Sequence, residues 1–215
     1  MNVPPRKATA LLAASLALGA HALRTAGASV AATQAEREEP RAGDDLVAPA
    51  EVVMDRAFSV PGTPAQVWPW LQQLGKQRAG WYLSRRLERL VPRGRRAART
   101  VEPRWQHLVV GDDIPDYGGP HEKFTVALLQ APHILVYTSL RGTVYLSWSL
   151  VLRAEPTAGG PARTRVLLRL RMAPVKRRWL ARSGGELIDV LTVAAMAGGL
   201  RERLADEPRG AARPA

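Results

Sequence analysis

The chain has no cysteine among its 215 residues. Disulfides, iron–sulfur clusters and thiol catalysis are excluded, and the redox compartment is left open. The four histidines, His21, His107, His121 and His133, are scattered, without the i, i+4 or H-x-H spacing of a metal site. No metal and no cofactor is expected. No G-x-S-x-G, P-loop or G-x-G-x-x-G motif occurs, so the strongest local signals for hydrolase and nucleotide chemistry are missing. Aromatics make up only 6% of the chain, and no internal repeat is visible. Acids are also scarce: 19 Asp+Glu stand against 31 Lys+Arg, for a formal net charge of +12. Such a balance suits an anionic partner, either nucleic acid or a lipid surface. Nucleic-acid readout would need a recognition helix or aromatics interleaved with the charge. No such module is present, and no specific nucleic-acid binding is expected.

What is present divides the chain. In residues 1–32, Arg6 and Lys7 precede an uncharged run from Ala8 to Ala20, followed by the small-x-small pattern Ala20-His21-Ala22. A basic n-region, an apolar h-region and an A-x-A site describe a signal-like or membrane-anchor segment. The run is short and Ala-rich for a span of ~20 residues. The expected location is therefore membrane-associated or exported. The alternative is a cytoplasmic chain whose leader has no targeting role. Residues 33–50, with Glu36, Glu38, Glu39, Asp44 and Asp45, lack periodicity and read as an acidic linker. Residues 51–207 form the expected single domain and 208–215 a disordered tail.

Within the domain, Val52, Met54, Arg56, Phe58 and Val60 alternate with Val53, Asp55, Ala57 and Ser59, predicting a half-buried first strand. The turn Pro61-Gly62-Thr63-Pro64 leads into a helix with Val67, Trp70, Leu71 and Leu74 at i, i+3, i+4 and i+7. A second short helix is predicted over 83–90, with Leu83, Leu87 and Leu90 inward. Further strands are predicted over 108–114, 123–129, 134–140, 144–153 and 164–172, separated by Gly/Pro turns, as in an antiparallel meander. Residues 179–205 read as a long helix with Leu187, Val190, Leu191, Ala194, Ala195 and Leu200 inward. Its Gly198-Gly199 pair would let it approach the sheet closely.

Four blocks occur in a telling order: Gly43-Asp44-Asp45-Leu46; Val67-Trp68-Pro69-Trp70-Leu71 with Gly80-Trp81-Tyr82; Pro103-Arg104-Trp105-Gln106-His107-Leu108 through Gly111-Asp112-Asp113-Ile114-Pro115; and Ser147-Trp148-Ser149-Leu150. This order resembles the SRPBCC (START-like, helix-grip) superfamily, in particular its bacterial polyketide cyclase/dehydrase or lipid-transport-like group. The resemblance runs from about Gly43 to Ala205. It implies an α+β helix-grip fold: a curved antiparallel sheet wrapped around a long C-terminal helix, with two short helices after the first strand. It also implies a pocket. The fold hosts lipid binders, cyclases and hormone receptors, so it does not settle function.

Trp81, Tyr82, Trp105, Tyr117, Tyr137 and Trp148 are the candidates for lining an apolar cavity, whereas Trp68 and Trp70 read as core. Asp112, Asp116 and His121 are the weak catalytic candidates, since an Asp–His pair could do acid–base work. The same residues fit plain turn chemistry, which is the favoured reading. The function expected is thus a non-catalytic carrier or sensor of a small hydrophobic molecule, lipid-like or polyketide-like. The alternatives are a cyclase or dehydratase, and a membrane-tethered interaction module. Two basic clusters remain, one from Arg78 to Arg104 and one from Arg163 to Arg182. Arg165, Arg169 and Arg171 alternate along one strand and read first as a solvated sheet face. An anionic membrane surface is the other partner such a face would suit.

Overall fold

The computed structural model describes Ala17 and residues 19–206. Residues 19–29 form α1 and Gln34–Glu38 form α2. Apolar alternation then puts Val52–Pro61 into β1, with Met54, Phe58 and Val60 buried. Thr63 caps α3, Pro64–Gln73, in a reciprocal capping box with Gln66. Pro64 sits at the first helical position, where no N–H is needed. Val67, Trp68, Trp70 and Leu71 are buried, so both helix tryptophans are core. Gln73, fully buried, holds the following loop: its Nε2 donates to the Thr100 carbonyl at 3.1 Å, and its Oε1 accepts from the Glu102 N–H at 2.9 Å.

After the short α4 (Arg85–Glu88) come β2 (Asp113–Pro115), β3 (Lys123–Gln130), β4 (Ile134–Arg141), β5 (Val144–Ala154) and β6 (Arg163–Ala173). All pairs are antiparallel, in the order β1-β6-β5-β4-β3-β2. A register shift between Val126 and Leu128 kinks β3. A three-residue turn α5 (Arg178–Leu180) and a π-helical turn (Ala181–Gly185) lead into α6 (Glu186–Asp206). Val193, Met196, Ala197 and Leu200 of α6 join Phe58, Val60, Leu150, Leu152, Val166 and Leu168 of the sheet in one core. This is the helix-grip architecture the sequence implies: a six-stranded antiparallel sheet closed on one face by its last helix.

Several details differ from expectation. The strand expected over 108–114 is reduced to Asp113–Pro115, because a turn at Val110-Gly111 precedes it and the Asp112 carboxylate accepts the Val109 N–H at 2.9 Å. The helix expected over 83–90 covers only Arg85–Glu88 and leaves Leu87 and Leu90 exposed. Its buried residue is Glu88, which receives the Arg203 guanidinium of α6 at 2.7 Å. Gly199 does allow a close approach, but to the chain at Leu83 rather than to the sheet: a Cβ there would lie 2.6 Å from the Leu83 nitrogen. Gly199→Ala must push α6 off that backbone. A loss of about 1–3 kcal/mol is expected, measured by urea unfolding, against no loss for Gly198→Ala.

The outer face of the sheet is not solvated. Residues 30–47 run across it as a strap. Ala31 bridges to Arg56 at the free edge of β1, and the Ala57 N–H donates to the Val30 carbonyl at 2.9 Å. Ala32 packs with Ala57, Val151 and Leu167, and a Cβ on Gly43 would meet the Val136 side chain at 2.6 Å. The packed body thus begins at Val30, not at residue 51, and residues 33–50 are no patternless linker. Their acids meet the basic row of β6. Glu36 binds Arg165 at 2.7 Å and Asp44 binds Arg169 at 2.8 Å, where Asp55 of β1 joins it at 2.7 Å. Arg165 holds the Glu36 carboxyl down at about 2. Arg169 is buried and also donates to the Glu39 carbonyl. The physical reason is charge complementarity: each cation finds an acid of the strap within the same chain. Most of the leader segment and the whole 208–215 tail lie outside the described residues. Among the described residues, no helix is long and apolar enough to cross a membrane.

Candidate functional site

Strand register assembles the site. Tyr137 of β4 stands opposite Trp148 of β5, which stands opposite Leu170 of β6, all on the face that α6 covers. Val126 of β3 stands opposite Tyr137, and Phe124, two residues before it, brings its ring within 5.9 Å of the Tyr137 ring. Trp148 lies at its centre, with ring centroids 5.8 Å from Tyr137, 5.7 Å from Phe124 and 6.1 Å from Trp81. Trp81 reaches this cluster from the Gly80 break after α3, where its indole N–H donates to the Thr192 carbonyl of α6 at 3.2 Å. Offset and tilted rings at such spacings form a cohesive apolar wall.

That wall borders a cavity of about 450 Å³ between the sheet and the first turns of α6. Trp81, Phe124 and Trp148 line it, with Leu146 and Leu170 from the sheet and Ile188, Thr192 and Val193 from α6. A narrower inner pocket continues toward Tyr137, Leu74 and Ile114. Burial pushes the Tyr137 phenol well above its ordinary range, so it is a neutral hydroxyl. Tyr117 and Ile188, both exposed, mark the mouth.

Two ion pairs flank this apolar space. At the mouth, Arg141 donates to Asp116, and its guanidinium lies 5.2 Å from the Phe124 ring. Beneath α6, Arg56 of β1 meets Asp189 at 2.8 Å. Burial pushes the Asp189 carboxyl above the ordinary aspartate range, against the opposing pull of Arg56. Each carboxylate therefore carries its own guanidinium, and no histidine lines the cavity. Among the described residues, no group of three or more His, Asp or Glu side chains is placed to hold a metal ion.

Of the six aromatics expected to line a cavity, Trp81, Tyr117 and Trp148 do so, and Tyr137 lines the inner pocket. Tyr82 does not. It is fully buried, edge-on to Trp70, and its hydroxyl donates to the Trp70 carbonyl at 2.7 Å. Trp105 packs at the edge of the core on a 3-10 turn, with the Arg104 guanidinium 4.2 Å from its ring. The catalytic candidates do not converge. Asp112 serves its turn, Asp116 serves Arg141, and His121 lines a separate groove with Lys123, Thr125 and Tyr145. Phe124, Arg141 and Asp189 were not singled out by the sequence. Phe124 could have been found from strand alternation, whereas the two ionic residues needed the tertiary partners.

No protein-family model matches the chain, and no curated protein does either. Solved structures do resemble it distantly. CalU16 from Micromonospora echinospora is 13% identical, with 71% of this chain and 83% of that chain covered and a TM-score of 0.40. A protein from Rhodobacter sphaeroides is 18% identical, with 73% and 95% covered and a TM-score of 0.44. Norcoclaurine synthase from Thalictrum flavum, in complex with dopamine and hydroxybenzaldehyde, is 18% identical, with 73% and 88% covered and a TM-score of 0.40. These are distant likenesses. The helix-grip assignment stands on this chain's own strand order and closing helix.

Proposed function

We propose that this helix-grip protein binds a small hydrophobic molecule, lipid-like or polyketide-like, as a carrier or sensor without turnover. One observation carries this reading: Trp81, Phe124 and Trp148 line a cavity of about 450 Å³, and Tyr137 stacks on Trp148 from the inner pocket behind them. Cavities of roughly 300–1,000 Å³ with apolar walls and few polar groups suit ligands of drug or small-lipid size. The rings would take the apolar body of the molecule. The Asp116–Arg141 and Asp189–Arg56 pairs would orient its polar ends. Both carboxylates are already engaged by guanidinium groups, so the site offers charged groups that orient a ligand.

The cyclase or dehydratase alternative has one observation in its favour. Asp189 lines the cavity with its carboxyl pushed upward by burial, as a general acid would need. Native purification followed by mass spectrometry of the organic extract separates the two. A carrier is expected to bring down a small apolar molecule, and that extract should displace anilinonaphthalene sulfonate from the emptied protein. An empty extract with no probe binding would sink the carrier reading. Conversion of the recovered molecule on incubation, stopped by Asp189→Asn, would replace it with the enzyme.

A further inference from the structure

We infer that the protein docks on an anionic lipid bilayer through α5 and the first turns of α6, with the cavity mouth toward the lipid. This goes beyond ligand binding, and it holds whether or not the cavity is filled. The large apolar side chains of this segment are turned outward: Trp179 is 70% exposed and Ile188 64%, with Leu180, Leu187 and Leu191 also exposed. Leu187, Ile188 and Leu191 stand at i, i+1 and i+4 on one side of α6, opposite the buried Val193, Met196 and Ala197. The patch borders the cavity, because Ile188 belongs to both.

The charge beside it decides the partner. Lys176, Arg177 and Arg178 precede Trp179 directly, and all three are exposed. Arg178 is held by Glu51 at 2.6 Å, but among the described residues neither Lys176 nor Arg177 has an ion pair. The acids of the first turn of α6, Glu186 and Asp189, are turned to Arg56. The patch therefore offers free cations next to a Trp and three aliphatic side chains. Interfacial segments combine these groups: Trp sits at headgroup level, aliphatic side chains pass below it, and cations meet phosphates. The basic row of β6 cannot take this role, because the acidic strap already covers it.

The test is co-sedimentation of the full chain with vesicles of phosphatidylcholine, alone or mixed with phosphatidylglycerol. Binding is expected to the anionic vesicles, weakly or not at all to the neutral ones, and to fall with added salt. Two variants change only exposed residues outside the cavity: Trp179→Ser/Leu191→Ser and Lys176→Glu/Arg177→Glu. Each is expected to weaken binding about tenfold or more with an unchanged melting temperature. Anionic binding that survives both variants would assign it to another part of the chain and overturn the proposal. So would the absence of vesicle binding. If light scattering instead finds a dimer that Trp179→Ser/Leu191→Ser dissociates, and vesicles do not bind, the patch is a self-association face and the proposal fails.

Discussion

Arg203→Ala is expected to cost about 3–5 kcal/mol of stability and to lower the melting temperature by roughly 6–20 °C. The Arg203 side chain is fully buried. Its Nε donates to the Ala98 carbonyl at 2.7 Å, Nη1 to the Leu83 and Gly199 carbonyls, and Nη2 to Glu88 at 2.7 Å. Its guanidinium also lies 4.6 Å from the Tyr82 ring. One side chain thus joins α6, α4 and the loop after α4. Truncation leaves buried carbonyls without donors and leaves Glu88 with Arg99 alone, at 2.9 Å. Urea unfolding measures the loss. The double variant Arg203→Met/Glu88→Leu should regain a good part of it, because the buried acid goes with its partner. A loss below about 1 kcal/mol for Arg203→Ala would contradict the account.

Trp148→Ala is expected to weaken binding of the apolar probe, or of the recovered ligand, by at least about tenfold, or roughly 1.4 kcal/mol. Trp148 touches the other three rings of the wall, so its removal takes away contact area and also the order of its neighbours. Trp68→Ala makes the contrast. Trp68 is buried in α3, away from the cavity, and its loss should cost about 3–5 kcal/mol of stability while the folded fraction binds normally. Melting curves must accompany both titrations, so that unfolded protein is not counted as weak binding. Equal affinity for the folded Trp148→Ala protein would remove Trp148 from the site.

The sheet was legible because its strands alternate plainly and Gly/Pro turns separate them. Trp81 and Trp148 were legible because few aromatics exist and these two follow a helix break and lie on a cavity-facing strand. Other features left no local trace. α6 carries apolar residues on several sides, so the expected stripe of Leu187, Val190, Leu191, Ala194, Ala195 and Leu200 shares only Leu200 with the buried one through Val193, Met196, Ala197 and Leu200. Two ionic contacts fix its rotation, Asp189 with Arg56 and Arg203 with Glu88. The latter partners are 115 residues apart, and no window of sequence holds both. Tyr82 and Trp105 were misplaced because an aromatic side chain does not announce which surface it covers. The strap resembles a linker in sequence for a related reason. Its acids follow no period, since Glu36, Glu39 and Asp44 reach different cations across the sheet.

That strap has a consequence for synthesis. Its residues leave the ribosome early, yet the partners of Glu36 and Asp44 lie 129 and 125 positions downstream. β1 waits equally long, since its neighbour in the sheet order is β6. At about 5–20 residues per second, the N-terminal third spends roughly 6–26 s without its mates. α2 and α3, each closed locally by its own capping box, can form at once. The edge of β1, with Val52, Met54, Phe58 and Val60, is meanwhile open to any passing strand. In newly made chains this edge stays unpaired until β6 is made. The pairing of β6 with β1, and the laying down of the strap, are then the late and slow events set by long-range closure.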